Sequence, residues 1–179
     1  MYSQRLLQTL LDYDAKTGQL RWRERPRDFC TSEAEWKRWN KRFAGSETFV
    51  SSPDGYRIVS LFGKPEKAHR VAYCHFYGVW PTWPSEQIDH INGDRSDNRI
   101  SNLRLVSAAI NRRNMCVSSR NTTGRVGICR VDSGKWEATI RVDGRLFHLG
   151  RFLEFEQAVS ARKLAERRFD FHPNHGRMA

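Results

Sequence analysis

The spacing of apolar residues predicts a short helix at the start of the chain. Leu6, Leu7, Leu10 and Leu11 repeat at helical spacing, and Ser3 precedes them at a position suited to capping. One face of this helix is therefore apolar and is expected to join a core.

An extended segment follows, in which apolar and charged residues alternate over positions 20–25 and end at Pro26. Four arginines lie between Arg21 and Arg27 around Trp22. Two interpretations remain open. The segment is either an arm whose arginines, Arg21 and Arg23 among them, follow a phosphate backbone, or a strand with solvated arginines and a buried tryptophan.

A hairpin and a helix are predicted next. Residues 49–61 contain two apolar runs around a Ser-Ser-Pro-Asp-Gly turn. The following residues break the hairpin, and Pro65 suits the first turn of a helix over about 66–77. His69 and His75 lie in this helix, and we interpret them as packed or surface residues because histidines on packed helices are usually hydrogen-bonded and not metal-bound.

A polar stretch interrupts the apolar pattern between residues 88 and 114. Asp89 and His90 stand side by side in it, and Asn102 and Asn111 follow. The pattern around them predicts a strand, a polar loop, a second strand and a helix capped by a serine. These elements are expected at 87–91, 92–99 and 103–106 and from Ser107 onward.

These residue types suit phosphodiester hydrolysis, which needs a nucleophilic water, charge neutralisation at phosphorus and help for the leaving oxygen. A Mg²⁺-like ion held by Asp89 and Asn111 would supply the last two. A neutral imidazole at His90 would act as general base, and Asn102 would brace the loop or orient His90. Because adjacent strand residues point to opposite sides, the site requires an irregular strand or a strand end at His90.

Charge and composition narrow the class of partner. The net charge is +11 and the pI about 10.0, which favours nucleic acid over a membrane surface. No apolar run approaches the ~18 residues of a membrane span, and the N-terminus lacks the apolar region of a signal peptide. The four cysteines form no Cys-x-x-Cys pair, so no structural zinc is expected and reduced thiols in a cytosolic setting are predicted.

The C-terminal third predicts a three-stranded antiparallel sheet covered by one helix. Basic residues lie on or beside the strands, and the uncovered face of such a sheet can enter the major groove of DNA. The strands are expected at 126–131, 135–142 and 145–150, the helix at 155–169, and the candidate DNA contacts are Arg130, Lys135, Arg141 and Arg145.

The central stretch resembles the HNH endonucleases, in the subgroup of phage and intron-encoded homing enzymes. The resemblance rests on residues 68–72, 88–93, 97–104 and 111–114. It implies a ββα-metal core in which Asp89 and Asn111 bind Mg²⁺ or Mn²⁺, His90 is the general base and Asn102 supports the loop.

The C-terminal segment resembles the AP2/ERF DNA-binding domain through residues 127–128, 134–141 and 149–152 and the helix that starts near Glu156. Relatives in plant transcription factors offer several arginines to bases from the first strand. Cys129 and Val131 stand at comparable places here, so those contacts cannot be carried over. Arg141 is the best retained contact candidate.

Together these patterns predict an α+β chain whose parts have separate tasks. The segments are a helical and hairpin extension that positions DNA at 1–65, a nuclease core at 66–115, a linker at 116–124 and an AP2-like domain at 125–179. The expected function is metal-dependent cleavage of double-stranded DNA, with nicking by a monomer or weak dimer, in the cytoplasm of a bacterial host and encoded by a phage. The alternative is a DNA-binding regulator with a vestigial nuclease core, against which the intact acid, histidine and asparagines weigh. RNA binding has no feature in its favour.

Overall fold

The computed structural model describes residues 1–118 and 120–177 and divides the chain into two compact units, Met1–Val106 and Ser107–Ala179. Both units combine helices with small antiparallel sheets, so the predicted mixed α and β character is confirmed. The functional boundaries at 65/66, 115/116 and 124/125 stay a prediction.

The first unit contains three α-helices and seven strands among its described elements. The helices are α1 (Gln4–Leu10), α2 (Glu33–Phe43) and α3 (Ala68–Tyr77), and the strands are β1 (Leu11–Tyr13), β2 (Leu20–Trp22), β3 (Phe49–Ser51), β4 (Arg57–Leu61), β5 (Lys64–Lys67), β6 (Glu86–His90) and β7 (Leu103–Ser107). The strands form the sheets β1-β2, β3-β4-β5 and β6-β7. Short 3-10 turns lie at Arg27–Phe29 and Ile100–Asn102.

The first helix is capped as predicted, with the Ser3 hydroxyl accepting a hydrogen bond from the Leu6 amide. Leu11, however, does not belong to the helix. It begins β1, where it pairs with Trp22 of β2 and is fully buried. The leucine spacing cannot separate these two outcomes, because a buried leucine next to a helix end fits either one.

Residues 64–67 are a strand, and the prediction that Pro65 starts a helix was wrong. Pro65 pairs with Ser60 of β4, and α3 begins three residues later at Ala68. Strand β5 is an edge of its sheet, where the missing proline N–H costs no ladder hydrogen bond on the open side.

One apolar cluster holds the first unit together. It joins leucines of α1, β1, β2 and β4 to Val71 and Ala72 of α3 and to Ile88 and Leu103 of the β6-β7 pair. Burial of these apolar side chains is the main stabilising contribution to a small unit. It also fixes α3 beside β6, which places the side chains of these two elements close together.

The order of strand, loop, strand and helix predicted for the central stretch is observed. Strands β6 and β7 enclose the loop of residues 91–99, and helix α4 (Ala108–Arg112) follows. The Ser107 hydroxyl caps α4 by accepting from the Ile110 amide. Helix α4 falls in the second unit.

The second unit confirms the predicted strands and helix to within two residues. The elements are β8 (Ile128–Arg130), β9 (Trp136–Val142), β10 (Arg145–Phe152) and α5 (Phe155–Arg168), and the sheet order is β10-β9-β8. Ala138 and Ile140 of β9 are fully buried beside Ala158 and Ala165 of α5. Within the described ranges, no helix of either unit has the length and apolar character that crossing a bilayer requires.

Candidate active site

His90 is the last residue of β6 and is almost completely buried. Its Nε2 lies 3.2 Å from Oδ1 of Asn98, a side chain that is itself buried in the loop. An amide oxygen only accepts, so with the Asn98 amide in this orientation the ring donates from Nε2 and Nδ1 is the basic nitrogen of the neutral imidazole. Because β6 ends at His90, the strand end that the site requires is present.

The surroundings of His90 favour its neutral form. Burial lowers the pKa of His90, against the opposing effects of the Asn98 hydrogen bond and of the nearby carboxylates, of which Asp89 is the strongest. A histidine whose pKa lies below its ordinary value is neutral at pH 7. That is the protonation state in which an imidazole can accept a proton from water.

A second histidine packs against the first. The ring of His69, on α3, meets the ring of His90 edge to face at a centroid distance of 4.8 Å. His69 is buried, and burial followed by the neighbouring His90 places its pKa well below the ordinary value. The sequence suggested a packed residue here, and the packing is observed, but the helix pattern gave no sign that the partner is His90.

Asp89 has a different set of partners from His90. Its Oδ2 accepts hydrogen bonds of 3.0 and 2.8 Å from Nε and Nη2 of Arg104, on the neighbouring strand β7. The carboxylate side chain is only 8% exposed, so the guanidinium is its counter-charge in a largely buried setting. Arg104 was not singled out from the sequence, although its type and its place opposite an acid on a paired strand could have indicated it.

Asn102 holds the loop between the two strands in shape. Its Oδ1 accepts from the Asn92 amide at 2.9 Å, and its Nδ2 donates to the Asp97 carbonyl at 2.8 Å. Asn102 itself is buried, and both hydrogen bonds are partly shielded from solvent. This geometry agrees with a bracing role for Asn102.

The same loop is held from outside by the N-terminal segment. The Tyr13 hydroxyl donates a 2.6 Å hydrogen bond to the Asn98 carbonyl, and the Ile100 amide donates to the Ala15 carbonyl at 3.1 Å. Gly18 has φ +77° and packs so closely that a Cβ there would lie 2.6 Å from backbone atoms of Asn98 and Arg99. Only glycine fits such an approach.

Asn111, the second predicted metal ligand, lies in α4 of the second unit. Its pairing with Asp89 stays a prediction from the sequence. Among the residues that the structure describes, no cluster of three or more His, Cys, Asp or Glu side chains is arranged to hold a metal ion.

The predicted DNA contacts of the second unit fall on two faces of the sheet. Directly opposed residues of an antiparallel pair share a face, and Arg141 pairs with Leu146 on the face away from the buried Ile140. Arg145 pairs with Val142 and so lies on the face that α5 covers.

Three further basic residues lie on or beside this sheet. Arg130 pairs with Trp136, on the same side as Arg145, and its guanidinium lies 5.9 Å from the Trp136 ring. Lys135 is exposed in the turn before β9. Arg151, which the sequence did not single out, lies on the open face and donates to Glu137 at 2.9 Å.

The N-terminal arginines have acidic neighbours. Arg21 lies 4.0 Å from Glu47, and Arg23 lies 3.6 Å from Asp12, with each side chain about half exposed. Trp22 is buried, as the strand interpretation requires. Whether these arginines also contact DNA stays a prediction.

Comparisons with known proteins address the central stretch. Residues 66–113 match the family model described as HNH endonuclease. A solved structure described as "DNA binding and cleavage by the HNH homing endonuclease I-HmuI" aligns with 23% identity and a TM-score of 0.37, over 57% of this chain and 49% of that one. This chain thus spans about half the length of that protein. No curated protein matches the chain. The chain therefore carries, at residues 66–113, a segment that matches the HNH endonuclease family.

Proposed function

We propose that the protein is a metal-dependent endonuclease that hydrolyses phosphodiester bonds in double-stranded DNA. The observation that carries this proposal is the setting of His90, a buried imidazole kept neutral beside the carboxylate of Asp89. The match of residues 66–113 to the HNH endonuclease family supports a nuclease.

His90 is the proposed general base. With its proton on Nε2, facing Asn98, the ring would take the proton of the attacking water at Nδ1. Asn98 would keep the ring in this tautomer, and Asn102 would hold the loop that carries Asn98. The two asparagines are therefore positioning residues in this mechanism.

Asp89 and Asn111 are the proposed holders of one divalent ion, Mg²⁺ or Mn²⁺. HNH nucleases generally use such an ion. The donor set fits, because a carboxylate and an amide offer the hard oxygen atoms that these cations prefer. When bound, the ion supplies charge neutralisation at the phosphate and stabilises the leaving oxygen. The Asp89 carboxylate would then share its charge between the ion and Arg104.

The second unit is the proposed DNA-positioning part, in the manner of an AP2-like sheet. Arg141 and Arg151 on the open sheet face, with Lys135 at its edge, would meet phosphates or base edges. Arg130 and Arg145 would contact only the border of such an interface. Arg21 and Arg23 would add phosphate contacts from the first unit.

One catalytic histidine in each chain implies nicking by a monomer, and a double-strand cut would need a weak dimer or two visits. The proposed setting is the cytoplasm of a bacterial host, where a phage-encoded enzyme would meet its DNA.

Supercoiled plasmid or phage DNA tests the proposal. Wild-type protein with Mg²⁺ or Mn²⁺ should convert it to nicked or linear form, and EDTA should stop the conversion. His90→Ala should abolish cleavage and keep DNA binding. Tight binding by the wild type without cleavage in any divalent ion would overturn the proposal and support the regulator with a vestigial core.

A further inference from the structure

The ring of Tyr56 contacts two cations and lies close to the two buried histidines. Lys67 Nζ is 3.6 Å and the Arg95 guanidinium carbon 5.0 Å from the ring centroid. The centroid of the same ring lies 5.2 Å from that of His69 and 6.1 Å from that of His90. Three separate segments of the first unit thus bring two positive charges to a ring that lies close to the proposed general base.

Neither cation forms an ion pair with a carboxylate in the part of the chain that the structure describes. Arg95 donates instead to the backbone carbonyl of Asp54 at 2.8 Å. The Asp54 carboxylate is bound by the Ser52 hydroxyl. Three other arginines of this region contrast with this arrangement, since Arg70, Arg99 and Arg104 each pair with an acid.

The positive charges of Lys67 and Arg95 also repel each other. Burial lowers the pKa of Lys67, and the charges of Arg95 and Arg70 lower it further, with only Asp54 acting in the other direction. The aromatic face of Tyr56 holds Lys67 in place despite this repulsion. Asp54 offsets this repulsion in part but, among the described residues, forms no ion pair with either cation, so an anion that contacts both would relieve the rest.

We propose that Lys67 and Arg95, oriented by Tyr56, bind one phosphate of the DNA strand that His90 attacks. This inference rests on the proposed endonuclease function and adds the group that receives the substrate. A phosphodiester offers two anionic oxygens, one for each cation. The Tyr56 ring lies 6.1 Å from the His90 ring, so a phosphate held by the two cations would lie near the proposed base.

The chain offers a matched control on the same strand. Strand β5 begins with Lys64 and ends with Lys67. Lys64 is exposed and contacts no aromatic ring in the described structure, so Lys64→Gln removes the same charge without touching the proposed site. Any general effect of lowering the net charge should appear in both variants.

Cleavage kinetics and DNA binding test the proposal together. Lys67→Gln and Arg95→Gln should each lower kcat/KM by at least about tenfold, whereas Lys64→Gln should change it less than about twofold. Because both cations share one phosphate, the double variant should lose less than the product of the single losses. Lys67→Arg should keep most of the activity.

Binding is measured in the His90→Ala background, where no cleavage intervenes. The slope of log K against log salt should fall by less than about 0.9 in either single variant, because the remaining cation still contacts the phosphate. It should fall by about 0.9 in the double variant, where that one phosphate contact is lost. A fall of about 1.8 in the double variant would mean two separate contacts and would overturn the shared site.

The outcomes separate this inference from the function on which it rests. If wild-type protein fails to cut in Mg²⁺ or Mn²⁺, the endonuclease proposal fails. The salt dependence of DNA binding then still tests whether Lys67 and Arg95 share one phosphate. If the wild type cuts while Lys67→Gln and Arg95→Gln behave like Lys64→Gln, only the phosphate site is refuted. Thermal melts of every variant identify losses that come from unfolding.

Discussion

The hydroxyl of Tyr13 donates a 2.6 Å hydrogen bond to the carbonyl of Asn98, across 85 positions of sequence. The side chain of the same Asn98 contacts His90. Burial raises the pKa of Tyr13, so its hydroxyl keeps the donating proton over the whole range in which the protein would work. The position of the proposed base therefore depends on a residue near the start of the chain.

Replacing Tyr13 with phenylalanine should remove this support and leave the rest of the ring packing intact. The partly buried Asn98 carbonyl would lose its partner, which should lower the free energy of unfolding of the first unit by about 1 kcal/mol. We expect kcat to fall severalfold while DNA affinity stays unchanged. Urea denaturation and single-turnover cleavage measure the two effects. Tyr77→Phe, at an exposed ring, is the control, and equal behaviour of the two variants would contradict the role.

Arg104 should matter most when no divalent ion is present. Arg104→Gln leaves the Asp89 carboxylate, 8% exposed, without its cation, and should lower the free energy of unfolding by about 1–3 kcal/mol. If Asp89 binds an ion, Mg²⁺ should raise the melting temperature of this variant more than that of the wild type.

Two controls accompany the Arg104 experiment. Lys37→Gln removes an ammonium group that pairs with Glu33 at an exposed position, and should cost much less stability. Asp89→Asn should abolish the extra effect of Mg²⁺. An equal Mg²⁺ shift in wild type and Arg104→Gln would argue that Asp89 is not an ion ligand.

Acid should destabilise the first unit through His69. Its pKa in the folded protein lies well below the ~6.5 of an unfolded chain, so the unfolded state binds more protons below that pH. The free energy of unfolding should therefore fall as the pH drops from about 7 to about 5, by up to ~1.4 kcal/mol per pH unit for this one proton. Urea titrations between pH 5 and pH 8 measure the slope.

The variant His69→Gln isolates the contribution of this residue. Its stability difference from the wild type at pH 8, where both side chains are neutral, gives the baseline. The variant should lose less stability than the wild type on going to pH 5, with the remaining slope coming from groups such as His90. Parallel pH curves for the two proteins would show that His69 does not carry the effect.

The two faces of the C-terminal sheet make opposite predictions for two arginines. Arg141 lies on the open face and Arg145 on the face that α5 covers. Arg141→Ala should weaken DNA binding and lower the salt slope by about 0.9, whereas Arg145→Ala should have a small effect on both. Fluorescence anisotropy at several salt concentrations distinguishes them. Equal losses would mean that the DNA does not lie on the open face.

Local sequence patterns predicted the helices and strands better than they predicted the contacts between them. The Ser3 cap, the hairpin at 49–61 and the sheet and helix of the second unit follow from spacing and turn residues, which act over a few positions. Strand β5 escaped prediction because proline at a sheet edge and proline at a helix start leave the same sequence mark.

In the candidate site too, residues close in sequence could be predicted, and contacts between distant segments could not. Asp89, His90 and Asn102 could be found because they share one short polar stretch. Tyr13 and His69 could not, because only the packing of β1 and α3 around the apolar cluster brings them to the loop and to His90. Contacts across tens of residues leave no periodic signal in one sequence.

The close approach of Gly18 to Asn98 and Arg99 has a consequence for how this chain can be recombined with its relatives. The turn and the loop fit each other as a matched pair, although 80 residues of chain separate them. A chimera that takes its first twenty residues from a relative with a larger side chain at position 18 would have a turn that clashes with the loop at Asn98 and Arg99. The turn at Gly18 and the polar loop must therefore be exchanged together.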